Sequence, residues 1–193
     1  MTNHDDQYYI TKVCHGDTHA FSVLVQRYKN LVYTLCYRML KNNEEAEEVA
    51  QDSFIKIYNH LTGFKGEAKF STWVYKITYY SCLDHLKKLK RQHKETEINE
   101  LNSHQIATVN NALDVLEEQE QQAAIQECLL LLNGDDAFML TLFYFEECSV
   151  KEIAKITNTS VDNVKIKLFR ARKRLATILK EKLPKEMINV YER

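Results

Sequence analysis

The stretch SVDNVKIKLFRARKR, from Ser160 to Arg174, carries six cations in its last ten positions: Lys165, Lys167, Arg170, Arg172, Lys173 and Arg174. Cations at that density suit a polyanion, because each neutralised phosphate releases bound counterions. A second set mixes rings with cations: Trp73, Tyr75, Tyr79 and Tyr80 with Lys76, Lys87, Lys88, Lys90 and Arg91. Rings stack on unpaired bases at about 1–3 kcal/mol each while cations meet phosphates. Trp73, Lys76 and Tyr80 recur at i, i+3 and i+7 and share one helical face. Val74, Ile77 and Leu86 mark a buried side that some of the rings must join. Cys14, His15 and His19 form a sparse group of metal-ligand types, but no matching pair elsewhere completes a four-ligand zinc site. They read as incidental residues of a helix, and no metal is expected. No phosphate-cradling glycine loop is present, and Ser, His and Asp form no catalytic signature. Neither an enzyme nor a cofactor is expected.

The elements that position the basic run follow from local chemistry. Ser149 caps a short helix, with Glu152 three positions on completing a capping box. Ile153, Ala154 and Ile156 are its packing residues. Asn158-Thr159 makes the turn, since Asn tolerates the left-handed conformation. Ser160 caps the next helix, and Val161, Val164, Leu168, Ala171, Leu175 and Ile178 form its buried stripe. Helix, short turn and helix together read as a helix-turn-helix, whose second member enters the major groove by its N-terminal end. Upstream, LEEQEQQAAIQECLLLL (Leu116–Leu132) reads as a helix ended by Asn133-Gly134, with Leu129–Leu132 in the core. Asp135 or Asp136 is expected to cap the helix after it.

The ring-bearing block needs three helices. AFSVLVQRYKNLVYTLCYRML shows apolar positions at Phe21, Leu24, Val25, Tyr28, Val32, Leu35, Met39 and Leu40, after a break at Gly16-Asp17. NNEEAEEVAQDSFIKIYNHL starts at Asn42 or Asn43, with four glutamates near the positive end of the helix dipole. Val49, Phe54, Ile57 and Leu61 can face a core, leaving Glu48, Gln51, Asp52 and Lys56 outside. That acidic face is either solvated or a docking surface for a basic partner. A loop follows over Leu61–Phe70, broken at Gly63 and Gly66, and Ser71 or Thr72 can cap a helix running to about Lys90.

Composition agrees with helices throughout. The chain of 193 residues has only 4 Gly and 1 Pro, the two strongest helix breakers. The N-terminus lacks the basic segment and apolar core of a signal peptide, and no apolar run nears the roughly 18 residues of a membrane span. The five Cys are scattered and read as reduced thiols, so a cytoplasmic location is expected. The net charge of -1 hides a division. Glu95–Val150 holds 12 acidic residues and no Lys or Arg, between local charges of +6 over Lys65–Lys94 and +8 over Lys151–Lys185. Phosphates are met within about a Debye length, so the near-neutral total does not exclude a DNA-binding protein. ETEINELNSHQIATVNN (Glu95–Asn111) is polar and lacks strong periodicity, which suits a linker between two domains.

Taken together, GDTHAFSVLVQRY, EEAEEVAQDSFIKIY, FKGEAKFSTWVYKI and EIAKITNTSVDNVKIKLFRARKRL resemble the extracytoplasmic-function (ECF) sigma factors of bacterial RNA polymerase. Two separated motif blocks in the right order make the resemblance specific. It implies an all-α protein of two small helical domains joined by a flexible linker: a region 2 domain over 1–94, a linker over 95–113 and a region 4 domain with the helix-turn-helix over 114–185.

The resemblance also implies roles. Glu48, Gln51, Asp52, Phe54 and Ile55 would dock on the β′ clamp helices of core RNA polymerase. Phe64, Lys65, Phe70, Trp73, Lys76 and Tyr80 would open and read the −10 element, the loop capturing a base flipped from the non-template strand. Region 4 would dock on the β flap and read the −35 element with Ser160, Lys165, Ile166, Phe169 and Arg170, while Lys173 and Arg174 grip phosphate. Promoter DNA and an anti-sigma factor complete the implied partners. Three positions depart from the common pattern: Asn158 for Gly, Ile166 for a small polar residue, and Tyr80 for the Asn that ends a RIARN-like segment. The rival readings are a conventional helix-turn-helix regulator acting without polymerase, and a signalling adaptor using the motif for protein contacts.

Overall fold

A computed structural model of the protein describes residues 5–95 and 116–182, with side chains described for 5–92 and 124–182. The linker expected over 95–113 lies outside them except for Glu95. Eight α-helices run through the described residues, and no strand occurs there. They are α1 Asp6–Cys14, α2 Thr18–Leu40, α3 Asn43–His60, α4 Phe70–Glu95, α5 Leu116–Leu131, α6 Gly134–Tyr144, α7 Val150–Thr157 and α8 Val161–Lys182.

Most helix starts follow the expected caps. Asn42 accepts a hydrogen bond from the Glu45 amide at 3.1 Å to begin α3. Ser149 and Glu152 form the capping box of α7, at 3.2 Å and 2.8 Å. Ser160 accepts from the Asn163 amide at 3.2 Å to begin α8. Asn158 takes the left-handed conformation, φ 51 and ψ 48, that lets the chain turn between α7 and α8.

Three expectations are corrected. Ser71 and Thr72 do not cap α4; the helix already begins at Phe70, whose buried ring meets Tyr28 at 5.6 Å, so both residues fall in its first turn. Asp135 and Asp136 do not cap α6. Asn133 does so, accepting from the Asp136 amide at 2.9 Å, and the aspartates lie in the first turn where the dipole favours them. Leu131 is exposed, while Cys128, Leu129 and, just past α5, Leu132 are buried: the helical turn carries Leu131 off the side that faces the core.

Helix α2 is the hub, packing on α1, α3 and α4. The buried thiols of Cys36 on α2 and Cys82 on α4 lie 3.7 Å apart. Contact with the Cys82 thiol, and then burial, holds Cys36 well above the usual thiol range. All five cysteines are free. Helices α5, α6 and α7 each pack on α8. The halves also meet, α2 on α6 and α4 on α7, and one apolar cluster runs from Ile10 to Ala171.

Candidate nucleic-acid and polymerase surfaces

The exposed face of α8 presents the residues read from the sequence. Val164, Leu168 and Ala171 are buried against the domain, which turns Lys165, Ile166, Phe169 and Arg170 outward. Ile166 is 48% exposed and Phe169 58%, so two apolar side chains stand among the cations. A groove-reading helix uses such groups against thymine methyls. Lys165 leans back on Asp162 at 3.2 Å, and Lys173 sits over the Phe169 ring at 5.1 Å. Two further cations reach across to α6. Arg174 pairs with the buried Asp136, and Arg172 covers the rings of Phe143 and Tyr144 at 5.2 and 5.5 Å. Arg174 thus also ties α8 to α6, a structural task the sequence did not reveal.

The second set gathers where the loop after α3 meets α4. Phe64 contacts both Phe70 and Trp73 at 5.4 Å between ring centres, and Phe70 meets Trp73 at 5.7 Å. Phe70 is buried, so it supports the other two rings from behind rather than facing solvent. A cavity of about 390 Å³ opens here, lined by Phe64, Lys65, Thr72, Trp73 and Lys76, with Lys155 of α7 and Asn158 just after it on its far side. Its volume is that of a small-ligand or base-sized hollow. Lys65 and Lys76 are exposed. Tyr80 lies farther along α4, edge-on to Tyr79 at 5.6 Å, and does not line the cavity. The expected group therefore divides into four residues at the cavity, one beneath it and one beyond it.

On α3, Glu48, Gln51, Asp52 and Ile55 are exposed, Ile55 at 58%. Phe54 is half-buried and packed on the core, so it backs that face. Tyr58, one turn beyond Ile55, is also exposed and meets Phe21 at 5.0 Å. The sequence reading missed it, although its i+3 spacing from Ile55 is visible in the sequence. Glu45 reaches His85 at 3.2 Å, fastening this helix to α4. Among the described residues no cluster of three or more His, Cys, Asp and Glu could hold a metal, and no helix is long and apolar enough to cross a membrane.

The described residues form an all-helical fold in which α4 and α8 each carry exposed cations beside aromatic side chains. The comparisons with known proteins agree. The family description Sigma-70 region 2 matches residues 24–92, and Sigma-70, region 4 matches residues 122–175. The ECF RNA polymerase sigma factor SigW of Bacillus subtilis is 34% identical over 178 residues, covering 89% of this chain and 95% of that protein. The RNA polymerase sigma-H factor of Pseudomonas aeruginosa is 29% identical over 191 residues, covering 94% and 99%. Among solved structures, the sigma factor RpoE of Bartonella quintana, crystallised with the anti-sigma factor NepR, shares the fold with a TM-score of 0.68. It is 18% identical and covers 84% of this chain and 98% of its own. The chain belongs to the ECF sigma factors of the sigma-70 family and acts as an RNA polymerase sigma factor in transcription initiation. Its relatives are sigma factors, which are not enzymes.

Proposed function

We propose that the chain works as a two-handed promoter reader, residues 1–94 forming one hand and 114–185 the other. Glu48, Gln51, Asp52 and Ile55 meet a basic face on the β′ clamp helices, with Phe54 stiffening them from behind. Phe64, Lys65, Trp73 and Lys76 take a base flipped from the −10 strand, Phe70 bracing the rings and Tyr80 reaching the strand farther along. Opening a few base pairs costs a few kcal/mol of unstacking, and ring contacts offset part of it. Ser160, Lys165, Ile166, Phe169 and Arg170 read the −35 element; Lys173 and the half-exposed Arg174 contact phosphate. The β flap holds the second hand in place. An anti-sigma protein holds the factor inactive; that the similar sigma factor RpoE is bound by the anti-sigma factor NepR supports this. Action on core polymerase sets the site of work in the cytoplasm.

The observation that carries the reading is the joint presence of an aromatic, cation-edged cavity on α4 and an outward basic helix α8 in one chain. Neither alone requires a polymerase. Pull-down on core polymerase tests it: the chain should bind, and Ile55→Glu should lose most of the binding. Retention equal to a protein-free bead control would end the proposal. A conventional regulator would instead bind duplex operator DNA tightly with no polymerase present.

A further inference from the structure

Helix α1 is tied to the ring set of the cavity through α2. Asp5 caps α1, accepting from the Tyr8 amide at 3.0 Å. The next residue, Asp6, is half-buried and turns both carboxylate oxygens onto α2. One accepts from Arg27 at 2.7 Å, and the other from the Tyr28 hydroxyl at 2.5 Å. Both bonds are charge-assisted, the stronger kind. The Arg27 guanidinium also sits over the Tyr9 ring, 4.8 Å from its centre, and Ile10 is buried one turn on from Asp6. Burial, and then the hydrogen bond to Asp6, hold the Tyr28 phenol protonated well above its usual range, so it stays a donor.

Tyr28 carries the tie onward. Its ring stands edge-on to Phe70 at 5.6 Å, and Phe70 meets Phe64 at 5.4 Å and Trp73 at 5.7 Å. Phe64 and Trp73 line the cavity, whereas Phe70 and Tyr28 do not. The loop that carries Phe64 has little other support. Lys65, Gly66 and Glu67 are exposed, and Gly66 is left-handed with φ 70. A second hollow, of about 460 Å³, lies between this loop and α1. Asp6 and Ile10 line one side of it, and Phe64, Lys69 and Phe70 the other. A segment that borders a hollow is held by few contacts, so its position depends on each of them.

We infer that Asp6 is a positioning residue for base capture. Through the Tyr28 hydroxyl it fixes the Tyr28 ring and so Phe70, which makes Phe64 and Trp73 a set surface for a flipped base. Helix α1 is thereby part of the −10 site, although none of its residues lines the cavity. A surface preset in this way spares the ordering cost of binding. The inference rests on the reading of the cavity as a base-capture site, while the bracing itself can be measured without DNA.

Trp73 is the single tryptophan of the chain, so its fluorescence reports the ring set directly. Asp6→Asn removes the charge at nearly constant shape, and Tyr28→Phe keeps the ring while removing the hydroxyl. In the free full-length chain, both variants should keep the wild-type helical signal and raise the quenching of Trp73 by iodide. In holoenzyme, 2-aminopurine placed at each −10 position in turn of a forked promoter reports capture. Both variants should bind core polymerase as the wild type does and capture the base about tenfold more weakly. A role in stability alone would lower the urea midpoint and leave quenching and capture, measured well below the melting temperature, where they were. If Asp6→Asn loses helical signal, Tyr28→Phe decides. Unchanged Trp73 quenching or intact capture overturns the inference, and so does a matching loss of polymerase binding, which would mark the tie as holding the fold only. If the wild-type holoenzyme captures no base at any −10 position, the base-capture reading fails and the inference with it, whatever the Trp73 signal does.

Discussion

Thr72 offers a prediction of definite sign. Its hydroxyl is buried on the first turn of α4 and is without a hydrogen-bond partner. An unmade hydrogen bond on a buried polar group leaves a desolvation penalty of about 1–3 kcal/mol. Valine has nearly the same shape, and its helix propensity is close to that of threonine. Thr72→Val should therefore stabilise the protein, by about 1–2 kcal/mol once imperfect fit is allowed for. At an m-value of about 2–3 kcal/mol/M this raises the urea midpoint by about 0.5 M with the slope unchanged, and the melting temperature by about 3–6 °C. Ser71→Ala, one residue away and half-buried, is the control and should move stability by less than about 0.5 kcal/mol. An unchanged or lower midpoint for Thr72→Val would refute the reasoning, because it would mean that the hydroxyl has a partner worth keeping.

Further expectations concern the reading helix, the α7 cap and three tyrosines. Lys165→Ala and Arg170→Ala should each weaken promoter binding of the polymerase complex: by about 1–3 kcal/mol at one base position for a base contact, or with a salt slope shallower by about 0.9 for a phosphate contact. Binding titrations over several salt concentrations separate the two. Ser149→Ala removes the capping box of α7 and should cost about 1 kcal/mol of stability, read in the urea midpoint. In an alkaline titration followed by phenolate absorbance, Tyr28, Tyr75 and Tyr79 should ionise after the other tyrosines, since burial and then neighbouring carboxylates raise all three. Their folded values lie above the unfolded one, so their stabilisation is complete below about pH 10 and is lost as pH rises through the raised values. The late class should vanish in denaturant.

The helix-turn-helix was legible because its signals are local. The capping box at Ser149 and Glu152, the left-handed Asn158, the cap at Ser160 and the stripe Val164–Leu168–Ala171 each act within one or two turns. The acidic start of α3 was legible for the same reason. What escaped depends on residues far apart in the chain. Phe70 draws α4 into helix ahead of its apparent caps because its ring packs on Tyr28, 42 positions upstream. Asn133 looked like a helix stop, yet its side chain reaches forward to the Asp136 amide. Arg38 gave one hint: a cation three residues after Leu35, inside an apolar stripe. That spacing marks a burial but does not identify the Thr141 hydroxyl and the Gln126 side-chain oxygen as the groups it donates to. Gly134 read as a breaker, whereas its use is to let another helix end come close. Of the candidate site, the outward residues of α8 and Glu48, Gln51 and Asp52 of α3 followed from periodicity, while Ile55 came from the family resemblance. The splitting of the ring set among cavity, support and far end did not, because which rings join a core is settled by packing.

The most direct test of the central claim is transcription in vitro from defined promoters with core polymerase and this chain. The account predicts transcripts with one start site, absent without the protein. They should be lost with Trp73→Ala or Lys76→Ala together with substitution of the −10 element, and with Lys165→Ala/Arg170→Ala together with substitution of the −35 element. Core polymerase that initiates no better with the protein than without it, on any of a random promoter library, would contradict the account.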